Sequence, residues 1–307
     1  MGCLWVFLCP TSARAGADAD RFSTPASTAS RGDETAAIEK EYHRLQAIDD
    51  AAQAEVEKWK RENDELVKKG QGKSEAEMKL RTRDRLETVR KAYDTFLRRH
   101  PKHAQAHLTY GSFLSEIEDE AAAQHQWEMA LEFDPKLAVA YNNLAGIYTE
   151  GGQVKKAFDF FSKAIELSPA DASFYHNFGD STYVLRKAAM SQYGLTEQQV
   201  YAKALQLYSN AVRLDPTNYL FVSDYAQTYY ALTPLPFEQA LAAWTNALSI
   251  APDETKRQLA CVHLARLKML SGRLAEAQAH LASVTNQECS QLKSNLLLRI
   301  EEREKTH

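Results

Sequence analysis

Two histidines have the spacing of metal ligands on a helix. His103 and His107 lie four residues apart, and this spacing places both imidazoles on one helical face, as in many zinc sites. However, His103 follows Pro101 at the start of a predicted helix, and His107 falls on a position that packs one helix against another. We therefore predict packing roles for both histidines, and we expect no metal ion and no other cofactor.

Other reactive combinations are missing from the sequence. It contains no glycine-rich phosphate-binding loop and no Cys-x2-Cys pair, and nothing marks a nucleophile beside a general base. Acidic residues cluster between positions 116 and 120, in a predicted turn where carboxylates are normally solvated. We therefore expect a binding protein and not an enzyme.

Prolines divide the chain at a near-constant period. Pro101, Pro135 and Pro169 lie 34 residues apart, Pro216 follows after 47 residues, and Pro252 after 36. Each proline ends a helix, because it lacks an N–H and disfavours helical backbone at the preceding residue. A period of this length predicts stacked two-helix units, whose long surface usually serves binding.

The segments between the prolines repeat residue by residue. Apolar and small residues three, four and seven positions apart mark one face of each of two helices. In the unit before Pro135 they are His107, Tyr110, Gly111, Leu114, Ala123, Trp127 and Ala130. In the unit before Pro169 they are Tyr141, Leu144, Ala145, Tyr148, Ala157, Phe161 and Ala164.

This pattern resembles that of the tetratricopeptide repeat (TPR) family. Less regular units extend the resemblance over roughly residues 86–285, and 13 extra residues fall between the helices of the third unit, near residues 184–201. The resemblance implies an all-α fold, an α-solenoid of about five helix-turn-helix units. A long helical segment would precede this solenoid and a capping helix would follow it.

The N-terminal residues differ from the rest of the chain. A short apolar run followed by Ala13-Arg14-Ala15, a small-x-small cleavage site, is interpreted as a secretory signal. We therefore expect export to the periplasm or the exterior, with a cytoplasmic location as the alternative. The predicted segments are a signal peptide (1–15), a flexible linker (16–35), N-terminal helices with a degenerate first TPR half (36–100), the TPR array (101–285) and a C-terminal capping helix (286–307).

Residues 36–69 are predicted to form a long helix with a weak heptad pattern. Ile38, Leu45, Ala52, Trp59 and Leu66 recur every seven residues. One interpretation is that this face packs onto the start of the repeats. The other is a coiled coil that makes the protein a self-associating structural homo-oligomer.

Charge is unevenly distributed along the chain. Residues 58–102 carry 15 Lys or Arg against 8 Asp or Glu, although the whole chain has a net charge of −4. Because the basic residues alternate with acidic ones, a solvated helical face is favoured over a nucleic-acid site. The N-terminal apolar run is too short to span a bilayer, so we expect neither nucleic-acid binding nor stable membrane insertion.

The TPR resemblance also implies where a partner would bind, because the first helix of each TPR lines a groove. Asn143 and Asn177 occupy the same groove position in consecutive units, and an Asn amide can both donate to and accept from a peptide bond. The segment around Asn143 resembles units of the O-GlcNAc transferase TPR superhelix, which has such a row of asparagines. The predicted groove residues are Asn142, Asn143, His176, Asn177, Asp180, Tyr183, Asp224, Gln227, Tyr230, His263 and Arg266.

These observations favour a non-catalytic scaffold or assembly adaptor. Its groove would bind an extended peptide or a helix of a partner protein. The partner's identity is not encoded in any motif of this sequence.

Overall fold

The computed structural model describes residues 25–305, with side chains from residue 32 onward. The expected signal peptide and the first part of the expected linker lie outside these residues. Within the described range all regular structure is helical, in fourteen α-helices and one short 3-10 helix. The chain divides into two compact units, and the division falls between Ala140 and Tyr141.

The N-terminal unit contains the first four helices. They are α1 (Pro25–Val67), α2 (Glu75–Arg99), α3 (Ala104–Glu116) and α4 (Glu120–Phe133). The expectation of a flexible linker up to residue 35 is wrong for residues 25–35, because α1 already begins at Pro25. Proline is well tolerated in the first helical turn, and the alanines that follow it favour helical backbone.

Helix α1 packs inside the N-terminal unit. Its heptad residues Leu45 and Ala52 are buried, as are the interleaved Tyr42 and Val56. The hydroxyl of Tyr93 on α2 donates a 2.7 Å hydrogen bond to Asp49 of α1. The structure therefore uses the heptad face for packing against the chain's own helices.

The C-terminal unit contains the other ten α-helices of the described residues. Its helices are α5 (Ala138–Glu150, which begins just before the division), α6 (Val154–Leu167), α7 (Ala172–Val184), α8 (Arg186–Tyr193), α9 (Glu197–Leu214), α10 (Tyr219–Thr228) with a 3-10 turn (Tyr229–Ala231), α11 (Phe237–Ser249), α12 (Glu254–Leu270), α13 (Leu274–Ala282) and α14 (Gln287–Glu304). Helix α8 is the insertion of the third repeat. Helix α14 occupies the segment predicted to cap the array.

Close approach of the two helices in a repeat depends on glycine. A β-carbon on Gly111 of α3 would lie 2.5 Å from the indole ring of Trp127 on α4, and one on Gly179 of α7 would lie 2.8 Å from the ring of Tyr208 on α9. The spacing of small and large residues thus pairs these helices as predicted. The predicted fold class, an all-α array of helix-turn-helix units, is confirmed.

The turn between α5 and α6 contains a glycine with left-handed backbone. Gly152, between α5 and α6, has a positive φ of 67°, which glycine adopts without steric cost.

Cys261 and Cys289 are buried in one apolar cluster, and both thiols are free. None of the described helices combines the length and the apolar character that crossing a bilayer requires.

Candidate binding surface

The predicted groove residues all lie on the first helices of successive repeats in the C-terminal unit, or on the turn that follows one of them. They are Asn142 and Asn143 on α5, His176, Asn177, Asp180 and Tyr183 on α7, Asp224 and Gln227 on α10, Tyr230 on the 3-10 turn, and His263 and Arg266 on α12. Burial divides this set into residues enclosed by the protein and residues that reach solvent.

The three asparagines are enclosed. Asn142, Asn143 and Asn177 are 2%, 0% and 2% exposed. The amide of Asn142 donates to Oδ1 of Asn143 at 3.1 Å, and the amide of Asn177 donates to Oδ1 of Asn142 at the same distance. In this structure the asparagines therefore bind one another between α5 and α7. The row of amides predicted to face a peptide lies beneath the surface.

A second polar contact joins the same two helices. The hydroxyl of Thr149 on α5 lies 2.7 Å from that of Ser181 on α7, and both residues are buried. Thr149 also donates to the backbone carbonyl of Ala145. Because buried polar groups must be paired, these contacts fix the register of α7 against α5.

A buried histidine connects α7 with α10. Nε2 of His176 lies 2.9 Å from Oδ2 of Asp224, while Nδ1 lies 3.7 Å from Oδ2 of Asp180. The hydroxyl of Tyr208, on α9, donates to the other oxygen of Asp180 at 2.5 Å. The ring of Tyr208 packs against Gly179, and sequence spacing alone does not show that its hydroxyl reaches a carboxylate.

Burial and charge act in opposite directions on this cluster. Burial alone would lower the pKa of His176, but the hydrogen bond to Asp224 and the charges of both aspartates raise it above its usual value. Burial also raises the pKa of Asp180, against the opposing effects of His176 and Tyr208. The partly buried carboxylates of Asp180 and Asp224 thus favour a protonated, positively charged imidazole on His176.

The third group lies around α12. His263 stacks on the indole of Trp244, with ring centroids 3.9 Å apart. The hydroxyl of Tyr230 donates to the backbone carbonyl of His263 at 3.2 Å, and the guanidinium of Arg266 lies over the Tyr230 ring, 4.5 Å from its centroid. These contacts hold Arg266 in place while its side chain reaches solvent.

Only some of the predicted groove residues reach solvent. Tyr183, Gln227 and Arg266 are exposed, and so is Leu220 at the start of α10, which is 42% exposed. Asp180, Asp224, Tyr230 and His263 are partly buried. The accessible surface therefore presents an aromatic ring, a leucine, an amide and a guanidinium, whereas the asparagines lie beneath it.

The corresponding face of the first repeat is covered by the chain itself. Thr109 on α3 occupies the same repeat position as Asn143 and is buried. The hydroxyl of Tyr42 on α1 lies 3.4 Å from the Thr109 hydroxyl and 3.3 Å from the backbone carbonyl of Gln105. Helix α1 thus covers the part of α3 that carries the predicted groove position of the first repeat.

The N-terminal unit also contains an open cavity of about 940 Å³ lined by α1, α2 and the turn after α3. Basic residues such as Lys60, Lys79 and Arg83 alternate on its wall with Glu75 and Glu87. This mixture of charges gives the cavity no preference for an anionic ligand.

Comparison with known proteins agrees with the helix-pair geometry. Residues 138–171 match the family model for the tetratricopeptide repeat. Protein O-mannosyl-transferase Tmtc1 of Drosophila melanogaster is 30% identical to this chain over 78 residues, which are 25% of this chain and 9% of that protein. The chain therefore spans only a small part of this curated relative.

Solved structures show the same fold. YrrB, described as a TPR protein with an unusual peptide-binding site, has a TM-score of 0.52 at 18% identity, covering 66% of this chain and 96% of its own. Pseudomonas aeruginosa pilF has a TM-score of 0.51 at 15% identity, covering 85% and 100%. The C-terminal part of a TPR protein from Cytophaga hutchinsonii has a TM-score of 0.53 at 14% identity, covering 83% and 98%.

These findings define the class of the molecule as a repeat protein built from helix pairs. Residues 138–171 match the tetratricopeptide repeat family, and the described helix pairs share the fold of solved TPR proteins. This fold generally serves protein–protein interaction and is typically non-catalytic.

Proposed function

We propose that this TPR protein is a non-catalytic scaffold or assembly adaptor that binds a peptide segment or helix of a partner protein. The binding surface is formed by the first helices of the third, fourth and fifth repeats, which are α7, α10 and α12. The single observation that carries the proposal is the exposure of Tyr183, Leu220, Gln227 and Arg266 on these successive helices.

The chemistry of the exposed set suits a protein interface. Tyrosine and arginine are enriched among residues that dominate binding energy, and an exposed leucine adds apolar area. Arg266 already lies against Tyr230, so less side-chain freedom is lost when a partner binds. We therefore expect the partner segment to contribute apolar side chains to this surface.

The buried asparagines have a supporting role in this proposal. Asn142 and Asn177 hold α5 and α7 together through their hydrogen bond. The prediction that they grip a peptide backbone stays a prediction, and in this conformation it would require the two helices to separate.

The test compares two exposed leucines. Leu220 lies on the proposed surface, and Leu298 lies on the capping helix α14 with 59% exposure. Wild type, Leu220→Glu and Leu298→Glu would each be used as bait in extract of the source organism, with captured proteins quantified by mass spectrometry. We expect a partner that Leu220→Glu loses at least tenfold and that Leu298→Glu retains.

Equal capture by all three baits would contradict the proposed surface. The far-ultraviolet circular dichroism and melting temperature of each bait would be measured alongside. Both leucines are already solvent-exposed, so neither substitution is expected to unfold the chain.

Self-association through α1 is the alternative function. Burial of Tyr42, Leu45, Ala52 and Val56 within the N-terminal unit weakens it, because these residues would form the coiled-coil seam. Light scattering of the purified chain gives its mass in solution and so tests self-association. A monomer at micromolar concentration excludes a stable homo-oligomer.

We also propose that the protein is exported. The support is the sequence of residues 1–15, with its apolar run and its Ala13-Arg14-Ala15 site. Cell fractionation with N-terminal sequencing tests it, and a cytoplasmic product that retains Met1 would overturn it.

A further inference from the structure

A buried histidine bridges the third and the fourth repeat. His176 of α7 is 1% exposed, and Nε2 of its ring lies 2.9 Å from Oδ2 of Asp224 on α10. The ring also lies 4.6 Å from that of Phe221 on α10, centroid to centroid. The backbones of α7 and α10 are not closely packed against each other. Side chains around one imidazole therefore connect the two helices.

Hydrogen-bond acceptors face both sides of this imidazole. Asp224 lies at Nε2, and Oδ2 of Asp180 lies 3.7 Å from Nδ1. The side chain of Asn177 also hydrogen-bonds the ring and favours its protonated form. A neutral imidazole has one N–H, whereas a protonated imidazole has two. Only the protonated ring has a donor for each side.

The charges around His176 favour the same form. Burial alone would lower its pKa, but the hydrogen bond to Asp224 and the charges of both aspartates raise the pKa above its usual value. Within the described residues, no Lys or Arg forms an ion pair with Asp180 or Asp224. Tyr208 of α9 donates to Asp180 at 2.5 Å, and burial raises the pKa of its hydroxyl well above the usual value, so it stays neutral. His176 is thus the cation that the two carboxylates share.

We propose that His176 is a pH-sensitive lock between the third and the fourth repeat. The protonated imidazole holds Asp180 of α7 on one side and Asp224 of α10 on the other. When the proton leaves, one N–H is lost and the two partly buried carboxylates repel each other without a cation between them. Helix α10 is then released from α7.

Linkage gives the direction of the pH dependence. Because the folded pKa lies above the unfolded value of about 6.5, the stabilisation by the lock is fully present below pH 6.5. It is lost as the pH rises through the folded pKa. Each unit between the folded and the unfolded pKa changes the equilibrium constant of unfolding by about tenfold.

The first experiment measures the protonation of His176 directly. Histidine ring signals of the full chain are followed by NMR from pH 5.5 to pH 9.5, and the His176 signal is assigned by its loss in His176→Gln. We expect a pKa above 6.5 in the wild type. Asp224→Asn keeps a hydrogen-bonding oxygen but loses charge, and it should lower this pKa. Asp159→Asn is the control, because Asp159 is exposed on α6 and pairs with Lys155, and it should leave the pKa of His176 unchanged.

The second experiment measures release. Urea unfolding is compared at pH 6 and pH 9, and wild type should be destabilised by the factor that the measured pKa difference gives, a share that His176→Gln should lack. Amide hydrogen exchange, corrected for its intrinsic pH dependence, should show that α10 loses protection over the same interval while α3 keeps it. Neither measurement requires a partner, so their outcome does not depend on the proposed function.

Three results would overturn the proposal. The first is a His176 pKa at or below 6.5 in the wild type, which can be measured even if the variants do not fold. The second is identical pH dependence of unfolding in wild type and His176→Gln. The third is unchanged protection of α10 when His176 loses its proton, because the charge would then stabilise the fold without locking the two repeats.

Discussion

The imidazole ring of His263 on α12 stacks on the indole ring of Trp244 on α11, with centroids 3.9 Å apart and ring planes 4° from parallel. Burial, and to a smaller extent the charge of Arg266, lower the pKa of His263 to about 4. The folded protein therefore holds this imidazole neutral at pH 7 as part of the apolar contact between the fourth and fifth repeats.

The lowered pKa predicts acid sensitivity of the C-terminal unit. Because the folded pKa lies below the unfolded value of about 6.5, the stabilisation is fully present above pH 6.5 and is lost as the pH falls toward 4. The loss should reach roughly 2–3 kcal/mol in the free energy of unfolding. His263→Phe keeps an aromatic ring on Trp244 and cannot titrate, so its stability should fall less between pH 7 and pH 4.5.

Urea unfolding at the two pH values measures this difference. His125, exposed on α4, supplies the control, since His125→Gln should lose stability on acidification as the wild type does. If the free energy of unfolding depends on pH identically in wild type and His263→Phe, the pKa of His263 is the same in the folded and the unfolded protein, which contradicts this prediction.

The position of α1 predicts opposite outcomes for two neighbouring alanines. Ala52 is fully buried, whereas Ala54 is exposed on the same helix. Ala52→Glu places a carboxylate inside the N-terminal unit and should cost about 2–4 kcal/mol of stability. Ala54→Glu should change stability by less than about 0.5 kcal/mol. Thermal melting with light scattering checks both, and an Ala52→Glu chain that stays folded but halves its mass would favour the coiled-coil alternative.

The contact of Gly179 with Tyr208 predicts that a larger side chain at position 179 lowers the stability of the chain. Alanine at position 179 would place its β-carbon 2.8 Å from the tyrosine ring, so Gly179→Ala should destabilise the chain by about 1–3 kcal/mol. Gly32 on α1 has no atom within 4 Å of such a carbon, and Gly32→Ala should stabilise by up to about 1 kcal/mol because alanine is the better helix former. Chemical denaturation compares the two variants, and equal effects would show that helix propensity outweighs packing at Gly179.

Sequence spacing predicted the helix pairs because their packing is local. Gly179 and Tyr208 belong to one repeat, and a small residue opposite a large one is visible as a repeated pattern. The insertion appeared in the same way, as extra length between two recognised helices, and it is α8. The start of α1 was missed because residues rich in serine, threonine and alanine are equally typical of linkers.

The burial of the groove residues could not be read from spacing. Asn142 and Asn177 lie in different repeats, and their contact depends on how closely α5 approaches α7. Likewise, His176 meets Asp224 across 48 positions of sequence. A repeat pattern assigns each residue to a face of its own helix, but it does not say whether the neighbouring helix covers that face.

The buried asparagine pair predicts an energetic coupling between two repeats. Asn142 accepts a 3.1 Å hydrogen bond from Asn177, and removing one partner leaves a buried polar group unsatisfied. Asn142→Ala and Asn177→Ala should each cost about 1–3 kcal/mol, and the double variant should cost less than the sum by roughly 1 kcal/mol. Urea unfolding of the four chains gives this coupling energy directly. A different result would place the amides on the binding surface. In that case each single variant would change the free energy of unfolding by close to zero, the two changes would add, and a captured partner would be lost. A side chain that serves only a ligand contributes little to folding.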